Sequence, residues 1–66
     1  MKLYVICDGA SILRYGNASD RQLEGMRARL RPGEALHEVQ PDFEGELSDL
    51  THQWDAETQA VVPIPE

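Results

Sequence analysis

One cysteine, Cys7, stands in a chain of 66 residues. A lone cysteine excludes an intramolecular disulfide. Together with His37 and His52 it falls one donor short of a closed structural zinc site, so an acid would have to complete the set. Aromatic residues are few: one Trp, one Phe and two Tyr. Apolar runs are only a few residues long, whereas a membrane-spanning helix needs about 18 or more. Leu3–Cys7 is too short for the apolar core of a secretory signal, and the expectation is an intracellular product carrying a reduced thiol. The most unusual scarcity is positive charge in the second half. No Lys or Arg follows Arg31, and residues 33–66 carry nine acids (Glu34, Glu38, Asp42, Glu44, Glu46, Asp49, Asp55, Glu57 and Glu66).

Residues 1–32 hold all six basic residues (Lys2, Arg14, Arg21, Arg27, Arg29, Arg31) against three acids, Asp8, Asp20 and Glu24. The halves are therefore +3 and −9, and the net charge is −6. Net acidity disfavours nucleic-acid binding by the whole surface, because phosphate contacts need clustered cations. A domain of about 60 residues buries only about 60% of its unfolded surface. Cores of that size rarely supply more than about 3–5 kcal/mol without a disulfide, a metal or association. Association is the staple left standing by elimination.

Along the chain, Lys2–Cys7 is β-prone, Asp8-Gly9 signals a turn, and Ser11–Tyr15 is a second short strand, giving a β-hairpin that Gly16-Asn17 would end. Ser19 and Gln22 fit a helix-capping box, with Asp20 in the first turn. Leu23, Met26 and Leu30 form one apolar stripe, Arg27, Arg29 and Arg31 crowd the C-terminal turns, and Pro32-Gly33 stops the helix. Glu34–Val39 reads as a strand with Ala35, His37 and Val39 on one face and Leu36 on the other. Gln40–Leu50 is an acidic loop. Thr51–Trp54 is extended, Asp55–Gln59 is a turn, and Ala60–Ile64 is extended, with Pro63 and Pro65 confining it to an edge or a polyproline-like path. The expectation is an α+β fold: a small β-hairpin, one helix, a further strand and an extended C-terminal ribbon or arm. Residues 1–40 would form the α+β unit and 41–66 the acidic loop and arm of one domain.

Two segments resemble small virion proteins of tailed bacteriophages. Arg31-Pro32-Gly33-Glu34-Ala35-Leu36-His37-Glu38-Val39, following the Asp8-Gly9 hairpin, resembles a segment of short tail and tail-fibre-associated proteins. Trp54-Asp55-Ala56-Glu57-Thr58-Gln59-Ala60-Val61-Val62-Pro63 resembles a hairpin of tail-fibre and fibre-assembly sequences. The resemblance implies a virion part, made in the host cytoplasm: a tail or fibre component or a capsid decoration protein. It implies no catalytic residues and no cofactor.

Cys7, His37 and Asp49 or Asp55 are the residue types of a nucleophilic set, but Cys7 ends an apolar strand, where a thiol behaves as a small hydrophobe. Asp42, Glu44 and Glu46 alternate like calcium ligands, without the glycine and terminal Glu of such a loop in register. Neither catalysis nor metal binding is expected. The candidate residues are interfacial. Arg27, Arg29 and Arg31 supply cations, and Glu44, Glu46 and Asp49 supply carboxylates. Trp54, Val62 and Ile64 supply an apolar anchor, although in a chain this small a lone Trp more often fills the core. The expected partners are other virion proteins or copies of the chain itself, with contact between the basic helix and an acidic segment. The alternative role is a small acidic phage-encoded inhibitor of a host nuclease or other nucleic-acid-binding protein.

Overall fold

The computed structural model describes residues 1–65. The elements are β1 (Lys2–Asp8), β2 (Ser11–Ala18), α1 (Asp20–Ala28), β3 (Ala35–Glu38), β4 (His52–Asp55) and β5 (Ala60–Pro63). β1 and β2 pair antiparallel across the two-residue loop Gly9-Ala10, where Gly9 takes φ 62°, a conformation glycine adopts without steric cost. α1 then carries the chain over β1, so that β3 pairs with the other side of β1 and the sheet order is β2-β1-β3. β4 and β5 form a separate two-stranded hairpin. The fold is mixed α+β: helix, three-stranded sheet and hairpin.

This layering explains why β1 reads as an almost unbroken apolar run. A strand covered on both faces needs apolar residues at both parities. Tyr4 and Ile6 face the helix, where they meet Ala18, Leu23, Met26, Leu30 and Leu36. Leu3, Val5 and Cys7 face the other way, against Ile12, Val39, Trp54, Val61, Phe43 and Leu47. The second cluster joins residues from 1–40 and 41–66, so the C-terminal ribbon is a hairpin folded back onto the sheet.

α1 begins as its sequence predicts. The Ser19 hydroxyl accepts from the Gln22 N–H at 3.3 Å, and the Gln22 side chain accepts from the Ser19 N–H at 2.8 Å. The helix ends earlier than the arginine run suggested. Arg29 is the C-cap, its N–H donating to the Met26 carbonyl, and Arg31 lies in the turn that follows. Only Arg21 and Arg27 of the basic set are on the helix itself.

β2 runs through Gly16 and Asn17 to Ala18, past the expected stop. Pairing with β1 overrides the local turn signal. Gly16 lies beneath the Tyr4 ring, where a Cβ would meet the Tyr4 hydroxyl in ordinary contact at 3.4 Å. A β-bulge at Leu13 shifts the β1–β2 register between Ile6 and Cys7.

Candidate interaction surface

The central sheet separates the two groups of charges. On the helix side, Lys2 Nζ lies 2.9 Å from Asp20 and 3.1 Å from Glu38. Arg27 approaches Glu38 at 3.8 Å. Arg14 forms a fork on Glu34, with bonds of 3.1 and 3.2 Å. Glu34 also accepts from the Arg31 backbone N–H at 3.0 Å, and its side chain is only 9% exposed. The Arg14 hydrogen bonds and that backbone bond hold the Glu34 carboxyl below the usual carboxylate range. Lys2 does the same for Asp20 and is itself raised by its hydrogen bonds to Asp20 and Glu38.

Three arginines have guanidinium groups outside this network. Arg21, Arg29 and Arg31 are exposed and make no salt bridge among the described residues. Opposite them, beyond the sheet, the segment from Pro41 to Gln59 carries Asp42, Glu44, Glu46, Asp49, Asp55 and Glu57 with no Lys or Arg. None of these six makes a salt bridge among the described residues. Asp55 instead shapes its own turn, accepting from the Glu57 N–H at 3.1 Å and the Thr58 hydroxyl at 2.9 Å. Phe43 and Leu47 hold the loop against the hairpin-side core.

The expected contact between the arginines and the acidic segment therefore does not form among the described residues. Arg27 pairs with Glu38 on β3, and α1 and the acidic loop pack on opposite faces of one sheet. Arg27, Arg29 and Arg31 lie along the end of the helix and its exit turn. Glu44, Glu46 and Asp49 are exposed on the far loop.

The apolar trio divides. Trp54 is 8% exposed, and its ring stacks on His37 with centroids 3.9 Å apart and planes 4° from parallel. That places it in the chain's own core. Val62 is half-buried, and Ile64 remains 42% exposed while its N–H donates to the Thr51 carbonyl.

Sequence reasoning missed two contacts. One is the His37–Trp54 stack. The alternation of β3 put His37 on the correct face, but nothing local named its partner. Burial, and secondarily Arg27, pushes His37 below its ordinary value. The other is Gln40, whose side-chain amide donates to the Val61 carbonyl at 2.9 Å and accepts from the Val61 N–H at 3.0 Å. One side chain thus satisfies both backbone groups of a buried residue in β5, as a neighbouring strand would.

Cys7 and His37 occupy different register positions of the sheet. Cys7 is fully buried and opposes Ile12 and Ala35, while His37 opposes Val5. Burial pushes the Cys7 thiol up, away from the reactive thiolate. Among the described residues, no three His, Cys, Asp or Glu side chains converge as a metal site. Nor is any described helix long and apolar enough to cross a membrane. Compared with protein-family models, curated proteins and solved structures, the chain finds no match.

Proposed function

We propose that this chain is a non-enzymatic structural or assembly protein of a phage particle that binds neighbouring protein subunits. The observation that supports the reading is the charge left over after folding. Arg21, Arg29 and Arg31 lie on one side of the sheet and Asp42, Glu44, Glu46 and Asp49 on the other, and none has an ionic partner among the described residues. Exposed groups of opposite sign on opposite faces suit heterologous contact, in which one face of a subunit meets the other face of its neighbour. The phage setting rests on the resemblance of the Arg31–Val39 and Trp54–Pro63 segments.

Light scattering after size-exclusion chromatography, with and without isolated virion components, tests this reading. Binding is expected at low salt and weakens at high salt, because exposed charges are screened. Reversing Arg29 and Arg31 to Glu together should abolish binding while leaving the thermal unfolding of the isolated chain nearly unchanged. Failure to bind any virion component, or recovery of a host nuclease from lysate in their place, rejects it. The second outcome would favour the inhibitor reading, for which the cation-free stretch Pro41–Gln59 is the supporting feature.

A further inference from the structure

We infer that Arg21, Gly25 and Arg29 form a docking cleft for the acidic loop of a second copy of the chain, which brings Asp42, Glu44, Glu46 and Asp49 to it. The inference rests on the interfacial reading above and gives it a site and an occupant. At about 3.6 residues per turn, positions 21, 25 and 29 advance by only roughly 40° at each step, so they share one ridge of α1 and its C-cap. Both arginines are exposed and make no salt bridge among the described residues. Glu24 lies on the neighbouring ridge and pairs with neither of them among those residues. The remaining cations of this layer are taken: Lys2 by Asp20 and Glu38, Arg14 by Glu34, and Arg27 by Glu38.

Gly25 is the residue of the helix that the fold itself does not use. A glycine inside a helix weakens it relative to alanine. Yet a Cβ at Gly25 would meet nothing within 4 Å, and its φ is not positive, so neither packing nor backbone conformation calls for glycine there. Its effect is to lower the wall of a cleft between helix and sheet. Gln22, Gly25, Met26 and Arg29 line the helix side, and Tyr4 with residues 17–18 lines the sheet side. No carboxylate lines it. Bare helix backbone flanked by two guanidinium groups admits the close approach of a second backbone that carries carboxylates, which guanidinium forks match.

The complementary surface is carried by the same chain. Asp42, Glu44, Glu46 and Asp49 are exposed, no cation lies among them, and none makes a salt bridge among the described residues. Gly45, at φ 89°, leaves the backbone between Glu44 and Glu46 bare, and a Cβ there would also meet nothing within 4 Å. Phe43 and Leu47 pin this loop to the hairpin side of the sheet, while α1 packs on the other side. The loop therefore does not reach the cleft of its own copy, and its charge is satisfied by the cleft of the next. A cleft on one face and its complement on the other make a heterologous, head-to-tail contact that repeats from copy to copy.

Sedimentation equilibrium across a concentration series of the full chain at low salt tests it, first with the native protein alone. The native chain should associate beyond a dimer as concentration rises. Two neutralised variants then separate the faces: Arg21→Gln with Arg29→Gln, and Glu44→Gln with Glu46→Gln and Asp49→Asn. Each should stay monomeric alone, because each lacks one half of the contact. Mixed in equal amounts they should form a one-to-one complex and nothing larger, since a single good cleft meets a single good loop. Gly25→Gln fills the cleft with a better helix former, so it should raise the thermal midpoint and weaken association at least tenfold. A native chain that stays monomeric at every concentration overturns the inference. If that chain still binds isolated virion components, the proposed function stands and only the occupant is wrong. Variants that associate alone, a mixture that grows past one-to-one or forms no complex, and a Gly25→Gln chain that associates as the native one does each overturn it as well. The native concentration series keeps the test decisive where a variant fails to fold, which circular dichroism reads.

Discussion

Toward the helix, the central sheet presents Tyr4, Ile6, Ala18 and Leu36, and all four salt bridges of the described chain lie on that side. Toward the hairpin it presents Val5, Cys7, Ile12 and Val39, and among the described residues no salt bridge joins the layers. There the fastening is a stacked His37–Trp54 pair and the Gln40 amide on Val61. The helix layer follows β2 directly, and beside its apolar contacts it carries partly exposed charge pairs. The hairpin layer arrives after the loop of residues 40–51 and is held by buried or half-buried contacts. Exposed ion pairs contribute little and are screened by salt, whereas buried aromatic packing is large and insensitive to it. The two faces should therefore fail under different stresses.

The largest expected effect is on the hairpin face. Trp54→Ala removes the largest side chain of that core and should cost about 3–5 kcal/mol, comparable with the whole stability of a domain this small. The variant should lack a cooperative unfolding transition in urea. Leu23→Ala, which empties the centre of the helix face, should cost about 2–5 kcal/mol, with the loss read first in helical circular dichroism. If Trp54→Ala melts within a degree or two of the parent, the hairpin is not part of the cooperative unit and the two-faced description fails.

Next in size is the Gln40 clamp. Gln40→Ala leaves both backbone groups of Val61 without that partner, at about 1–3 kcal/mol per buried group. Gln40→Glu keeps an acceptor for the Val61 N–H but loses the donor to its carbonyl, and should fall between Ala and the native residue. Hydrogen exchange at Val61 is the direct readout. Equal exchange in all three proteins would show that the clamp holds nothing.

On the helix face, Ser19→Ala removes the capping hydroxyl and should cost about 1 kcal/mol. The effect should appear as fraying of Asp20–Gln22 amides, with the Trp54 environment unchanged. Movement of the tryptophan fluorescence would mean that the two faces are coupled through the sheet.

The smallest effect is the pH response, which separates the faces along one axis. His37 sits below its ordinary value in the folded chain, so the unfolded chain takes up its proton first as pH falls. Stability on the hairpin side should begin to drop below about pH 6.5 and stop dropping once folded His37 is also protonated. Asp20 and Glu34 are likewise depressed, and their contribution is present above the ordinary carboxylate range and lost as pH falls through their folded values. The helix side should therefore loosen at lower pH than the hairpin side. His37→Phe preserves an aromatic ring against Trp54 and should remove only the first step. A two-step acid profile that persists in this variant would assign that step elsewhere.

The local elements were legible in the sequence because their signals are local. The Ser19–Gln22 capping box, the Asp8-Gly9 turn, the alternation of Ala35, His37 and Val39 against Leu36, and the turn at Asp55–Gln59 are each written within a few neighbouring residues. Two boundaries were misread for the same reason. Gly16-Asn17 looks like a stop until β1 supplies a partner and Tyr4 fills the space above Gly16. Arg29 and Arg31 look helical until the cap at Arg29 ends the ladder.

The amino-acid sequence by itself determined the +3/−9 division of charge, the scarcity of staples, and the order of strands and helix, since each depends on composition or short-range pattern. Only the tertiary structure decided that the two charge groups lie on opposite faces, that Trp54 belongs to His37, that Gln40 serves Val61, and that β2 retains an unpaired edge. Those facts depend on which distant segments the central strand brings together. β1 is apolar on both of its faces, and covering both sides of one strand is what drives the arginines and the carboxylates apart.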